Sequence, residues 1–138
     1  MTFRLATAPR NAGCNGIVDL LDGAGSTIKV YQVAQTATPN DADPAGGTDL
    51  LATLTFATPA FGASGAVLPG EAVAGTIASG TAVASGTAIS FRIKTPAPAV
   101  HSDGTCGSGS GDLNFSTTNV IVSGGTVSCT SFKITVPQ

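Results

Sequence analysis

In residues 89–94, Ile89-Ser90-Phe91-Arg92-Ile93-Lys94, apolar and polar side chains alternate without a break. Because successive side chains of a β-strand point to opposite faces, a period of two predicts a strand with one buried face. The predicted inner face holds Ile89, Phe91 and Ile93, and the predicted charged outer face holds Ser90, Arg92 and Lys94.

The same alternation continues on both sides of this segment. It is clear at residues 28–31, where Ile28 and Val30 alternate with Lys29 and Tyr31, and at residues 50–57, before Pro59. Short apolar pieces between Gly and Pro predict weaker strands near residues 72–77, Val100, 113–115, 120–122, 127–129 and 132–136. Seven to nine strands with closely spaced turns favour an all-β sandwich, jelly roll or barrel.

One helix is predicted before the strands, from about Pro9 to Leu21. Pro suits the first turn of a helix, and apolar residues then recur at helical spacing. The predicted apolar stripe holds Cys14, Ile17, Val18 and Leu21, and Gly23 is predicted to cap the end. Gly13 and Gly16 weaken the helix, so it must be held by docking.

Three turn or bulge predictions follow from local sequence. Asp103-Gly104 and Gly124-Gly125 are dipeptides typical of tight turns, the second joining two strands as a hairpin. Val127 and Cys129 are out of phase with Phe132, which predicts a β-bulge between Thr130 and Ser131.

Composition limits the function classes. The chain has 138 residues, with only 10% charged residues and a net charge of -2, which predicts one folded domain over residues 1–138 and no footprint for nucleic acid. No apolar run approaches the roughly 18 residues of a membrane span, and no signal peptide is visible, so we expect no membrane partner. With no Trp and one Tyr, sites built on aromatic platforms are disfavoured.

Few residues suggest chemistry. His101 lies in a Pro/Gly-rich segment beside Ser102 and Asp103, and we interpret it as a solvated loop histidine, because adjacent side chains of extended backbone diverge and cannot form a triad. Asp41, Asp43 and Asp49 lie in a loop that lacks a complete calcium-loop motif, so a solvated acidic loop is favoured over a cation site. The sequence therefore predicts no enzyme, no cofactor and no metal.

The three cysteines are widely spaced and odd in number. Cys14, Cys106 and Cys129 include no C-x-x-C pair, so free, buried or half-buried thiols are favoured. A Cys106–Cys129 bridge remains the alternative.

An interaction protein is the remaining class. Phe3, Arg4, Leu5 and Phe61 are candidate partner-interface residues, and the three apolar ones lie outside the strong strand patterns. The alternative for Phe3, Leu5 and Phe61 is that they cap the core.

Four segments resemble a family of small virion proteins of tailed bacteriophages. They are TAPRNAGCNGIVDLLDGAGSTIKVYQ (7–32), TDLLATLTFATPAFGAS (48–64), ISFRIKT (89–95) and GSGDLNFSTTNVIVSGGTVSCTSFKITVPQ (109–138). Some members of that family resemble capsid cement or decoration proteins. The resemblance implies a jelly-roll-like β-sandwich of about eight strands with one short N-terminal helix.

The resemblance also implies a function and a place. The chain would bind the outer head surface, stabilise the lattice of the major capsid protein, and be made in the host cytoplasm. It would form a homo-oligomer, with a dimer as first choice and a trimer as second. A tail or fibre-associated subunit is the alternative, and a carbohydrate-binding adhesion module is a weaker one.

Overall fold

The computed structural model describes residues 3–44, 48–115 and 118–137. The chain is mostly β, with one short N-terminal helix. Helix α1 spans Thr7–Val18 and continues as a 3₁₀ turn over Asp19–Leu21. The helix prediction is confirmed, and the buried side of α1 holds Arg10, Cys14 and Val18, whereas Ile17 of the predicted stripe is 39% exposed.

Twelve strands are present in the described ranges, most of them short. They are β1 Thr27–Tyr31, β2 Leu50–Phe56, β3 Glu71–Val73, β4 Ile77–Ala78, β5 Gly80–Thr81, β6 Gly86–Thr87, β7 Ser90–Lys94, β8 Val100–Gly107, β9 Leu113–Asn114, β10 Val120–Ile121, β11 Thr126–Val127 and β12 Lys133–Thr135. The main sheet has the order β4-β2-β1-β7-β8-β9. Its pairs are antiparallel except β8–β9, which is parallel.

Three two-stranded ribbons complete the fold, and each pairs strands that are distant in sequence. They are β3–β12, β5–β11 and β6–β10. The core lies between the inner face of the main sheet, α1 and these ribbons, and includes Leu21, Ile28, Leu54, Phe91, Ile93, Leu113 and Phe132. Phe132 meets Phe91 edge-to-face at a centroid distance of 5.5 Å, which joins the C-terminal segment to the sheet.

The strand predicted at residues 89–94 is confirmed as β7, but its surroundings differ from the prediction. Ile89 lies outside the strand and is 44% exposed. The predicted outer face of Ser90, Arg92 and Lys94 is buried. The reason is that the segment after β1 folds over this face and places the carboxylate of Asp43 against its cations.

The turn predictions fared worse than the strand predictions. Asp103-Gly104 is not a turn but the middle of β8. Gly104 faces the Phe91 ring, whose Cε1 would lie 2.6 Å from an added Cβ, so glycine is required there for packing. Gly124-Gly125 does lie in a turn, with Gly124 at φ +80 and Gly125 N–H bonded to Val122 O. The flanking strands nevertheless pair with β6 and β5, so the predicted hairpin is wrong.

The predicted bulge at Thr130 and Ser131 is also wrong. The change of phase there marks a change of partner, since Cys129 bridges Phe115 whereas β12 pairs with β3. Shifts of register occur instead between Val30 and Tyr31, and between Ile93 and Lys94.

Candidate functional site

The outer face of the main sheet carries five charged side chains in contact, which we call the charged cluster: Lys29, Asp43, Arg92, Lys94 and Asp103. The strand register places Arg92 of β7 opposite Lys29 of β1 on one side and Asp103 of β8 on the other. The segment after β1 brings Asp43 over them. Arg92 is therefore only 2% exposed.

Asp43 is the centre of the cluster. Its Oδ1 lies 2.6 Å from Nζ of Lys94 and 3.0 Å from Nη1 of Arg92, and its Oδ2 lies 3.7 Å from Nζ of Lys29. Burial by itself raises the pKa of Asp43, but hydrogen bonds from Lys94 and Arg92, with the charges of Lys94 and Lys29, outweigh burial and hold the pKa below its usual value. Asp43 is therefore ionised, and it holds the segment after β1 against the three cations.

Arg92 holds the covering segment through further contacts. Its Nη1 donates to the carbonyl oxygen of Asp41 at 2.8 Å, and its Nη2 donates to Oγ1 of Thr36. The planar guanidinium offers five donors in a fixed geometry, which suits several acceptors at once. Arg92 thus fastens residues 36–43 to the sheet.

At Asp103, the hydrogen-bonding groups of the charged cluster are less completely paired. Oδ2 of Asp103 is buried and has no hydrogen-bond partner among the residues that the structure describes, and Nη2 of Arg92 lies 3.5 Å away, beyond good hydrogen-bond distance. Burial, and then the charge of Asp43, raise the pKa of nearby Tyr31 to about 12, although Arg92 opposes them. Tyr31 is therefore a neutral phenol at physiological pH.

These contacts correct the interpretation of the acidic loop. Asp43 is engaged by three cations rather than solvated, while Asp41 accepts a hydrogen bond from the Thr38 N–H at 2.8 Å and Asp49 from the Thr48 hydroxyl at 3.4 Å. In the described ranges, no group of three or more His, Cys, Asp or Glu side chains is placed to hold a metal ion. The cluster has the chemistry of a structural anchor.

The cysteines are free thiols, as favoured from the sequence. Cys14 and Cys129 are buried and Cys106 is half-buried. Burial, followed by the neighbouring Cys129 and Asp112, raises the pKa of Cys106 to about 12. Burial likewise raises the pKa of Cys14 and Cys129. Thiols held neutral are poor nucleophiles.

The proposed partner-interface residues fall into two groups. Phe3 is 81% exposed, Arg4 is exposed and Leu5 is half-buried. Phe61 is only 4% exposed and packs against Phe56 and Phe132, so the structure supports the alternative that it belongs to the core. Asp22 fixes this position by accepting the Ala60 and Phe61 N–H groups at 3.0 and 3.2 Å.

The end of the molecule formed by β5, β6, β10 and β11 has a different surface. Residues 72–91 and 113–132 contain no Asp, Glu, Lys or Arg. The two segments are joined by the ribbons and by bonds of 2.8 Å between Ala82 and the Gly124-Gly125 turn. We call residues 80–87 and 118–128 the uncharged face.

Three large apolar side chains project from the uncharged face. Val83, Val120 and Val122 are 65%, 56% and 67% exposed. Beside them, a cleft of about 250 Å³ opens between β10 and β11 over a floor of Phe115, Ile121 and Val127. Exposed apolar side chains on a surface without charges are typical of protein contact surfaces. The uncharged stretches of the sequence were a signal of this face, which none of the predictions used.

The structure also contradicts the interpretation of His101 as a solvated loop histidine. It lies in β8, half-buried, and not in a solvated loop. Its ring nitrogens lie 3.0 Å from Oγ of Ser102 and 2.9 Å from the carbonyl oxygen of Ile17. The expectation that adjacent side chains diverge is therefore wrong at this pair.

Comparison of the chain with models of protein families, with curated proteins and with solved structures gives no match. In the described ranges, no helix is long and apolar enough to cross a membrane.

Proposed function

We propose that this chain is a capsid cement or decoration protein of a tailed bacteriophage, which binds the outer head surface and stabilises the lattice of the major capsid protein. The observation that carries the proposal is the uncharged face with its three exposed valines. The sequence resemblance gives the partner. We further propose that the sheet and ribbons form a jelly-roll-like sandwich, and that the chain acts as a homo-oligomer, first a dimer and otherwise a trimer.

The uncharged face suits repeated docking. A surface without charges loses little solvation when it is covered, and each valine that becomes buried contributes roughly 1–2 kcal/mol. Contacts of this size are weak singly, but an oligomer that engages several lattice positions gains by avidity. Binding to the assembled shell, and not to separate subunits, stabilises the shell by mass action.

Copy number tests the place of the chain. Quantitative mass spectrometry of density-purified particles should give a ratio near one to the most abundant protein. A few copies per particle would instead support the tail or fibre-associated alternative, and none would overturn both.

Two equally exposed valines test the surface. Val122 lies on the uncharged face and Val67 lies in the segment beside α1, and each is 67% exposed. Particles stripped of the chain should regain heat resistance with wild-type protein or Val67→Asp but not with Val122→Asp. Equal recovery with both variants would remove the uncharged face from the proposal. Heat resistance that is unaffected by stripping would refute the cement function itself.

A further inference from the structure

A groove of about 650 Å³ runs between β8, the end of α1 and β12, on a different part of the molecule from the uncharged face, and it shares Asp103 with the charged cluster. Its lining includes Ile17, His101, Ser102, Lys133 and Ile134. It brings the one histidine of the sequence within hydrogen-bond distance of a hydroxyl, with 3.0 Å between Nδ1 of His101 and Oγ of Ser102. The proposed docking function makes no use of it.

A bulge in β8 explains why these two adjacent side chains meet. Ile93 pairs with Ser102 and Lys94 pairs with Val100, which leaves His101 as an extra residue without a partner on β7. In regular strands neighbouring side chains point to opposite faces, but an extra residue disrupts the alternation and re-aims its side chain. His101 and Ser102 therefore both line the groove.

The hydrogen bonds fix the proton on the ring. Nε2 of His101 lies 2.9 Å from the Ile17 carbonyl oxygen, which can only accept, so Nε2 carries the hydrogen. In the neutral ring Nδ1 then has a free lone pair, and it lies 3.0 Å from Oγ of Ser102. The Ser102 hydroxyl thus donates to a base that a third group holds in place, which is the arrangement of an activated nucleophile.

We propose that Ser102 is a nucleophile toward activated carboxylic esters, with His101 as its general base. Oγ of Ser102 bonds to the carbonyl carbon as its proton passes to Nδ1 of His101. The bond from carbon to the alcohol oxygen then breaks, and the leaving alkoxide takes that proton. Water attacks the resulting ester by the same transfers and releases the acid and the free serine.

Lys133 supplies positive charge in the same groove. Its ammonium group donates to Oε2 of Glu71 at 2.8 Å, yet the side chain remains 61% exposed. Asp103 and Asp112 add carboxylates to the same lining, so the groove carries charges of both signs.

The group that orients His101 affects the rate of the proposed reaction. In serine hydrolases a buried carboxylate orients the histidine and also stabilises the imidazolium that forms during the reaction. Here the Ile17 carbonyl orients the ring without a full negative charge. We therefore expect slow turnover, and covalent capture of Ser102 is a more sensitive measurement than ester hydrolysis.

A fluorophosphonate probe provides that measurement. Oγ of Ser102 would bond to phosphorus, fluoride would leave, and the proton would pass through His101 to solvent. After incubation of the folded wild-type chain, peptide mass spectrometry should find the adduct on Ser102. An adduct spread over exposed serines, or no adduct on Ser102, would overturn the proposal, and this result needs no variant.

Variants then distinguish general-base catalysis by His101 from labelling of Ser102 that results only from its exposure. His101→Gln keeps a donor for the Ile17 carbonyl but removes the base, and it should slow labelling about 10²-fold, the lower range for general base catalysis. Ser102→Ala should abolish the adduct, whereas Ser128→Ala, at an exposed serine of the uncharged face, should leave it unchanged. Equal labelling of wild type and His101→Gln would show that His101 does not act as a base.

Discussion

The charged cluster lies on the main sheet and the uncharged face lies on two of the ribbons, and the two are built in opposite ways. At the cluster, strands of five to eight residues are crossed by ion pairs, and Arg92 is buried. At the uncharged face, the four strands have two residues each and the side chains are uncharged. The chain therefore uses charge where its own segments must be fastened together and keeps charge away from the surface that we propose for a partner.

Removal of Arg92 should have the largest effect on this contrast. Arg92→Met keeps much of the apolar volume but leaves Asp43 and Asp103 with fewer cations, and uncompensated buried charges typically cost about 3–5 kcal/mol. Lys29→Met is the matched control, because Lys29 is 35% exposed and 3.7 Å from Asp43, where ion pairs contribute at most about 1 kcal/mol. Urea denaturation measures both, and equal losses would contradict the assignment of Arg92 as the anchor.

Asp43→Asn should lower the free energy of unfolding at pH 7 by about 1.5–3 kcal/mol, the range for hydrogen bonds to charged groups. Because the pKa of Asp43 is lowered in the folded state, its contribution is complete above its unfolded pKa of about 3.9 and is lost as pH falls through the folded pKa. Wild type should therefore lose more stability than Asp43→Asn between pH 6 and pH 3. Identical pH dependence of wild type and Asp43→Asn would mean that Asp43 does not fasten the covering segment.

Gly80 tests how the uncharged face is attached to the sheet. An added Cβ at Gly80 would lie 2.1 Å from the Thr53 carbonyl oxygen on β2, so Gly80→Ala must push β5 from the sheet and should cost about 1–3 kcal/mol. Gly13→Ala is the opposite case, since nothing lies within 4 Å of its Cβ and the helix gains about 0.5–1 kcal/mol. Relative to wild type, the Tm of Gly80→Ala should fall and the Tm of Gly13→Ala should rise. A Tm shift of the same sign for both variants would refute this difference.

The limits of sequence-based prediction follow the same division. Alternation located β1, β2 and β7, because their inner faces are continuous and apolar. It could not show what covers the other face of β7, because the partner of Arg92 lies 49 residues away in a segment without periodicity. Short apolar pieces did predict strands near β3, β10, β11 and β12. The strands β5 and β6 and the pairing of the ribbons were missed, because two-residue strands carry no period and depend on distant partners.

The groove beside His101 could not be predicted from the sequence because it depends on a local irregularity in β8. A bulge at His101 depends on the pairing of β8 with β7, and Asp103-Gly104 resembles a turn more than a strand. The one available signal was the run of chemically useful residues at 101–103. Its geometry could be judged only once the register was known.

The smallest effect on stability should come from the uncharged face. Val122→Asp changes a side chain that is 67% exposed, and such substitutions usually alter stability by less than about 0.5 kcal/mol. A carboxylate there would nevertheless oppose binding of the shell through this face, because it would have to be desolvated without a cation. Cosedimentation with stripped particles should show less bound Val122→Asp than wild type, whereas Val67→Asp should match wild type. If Val122→Asp unfolds the chain, the uncharged face is part of the core, and if Val122→Asp leaves binding unchanged, the face lies outside the contact. In either case the charged cluster and the uncharged face do not divide attachment within the chain from attachment to a partner.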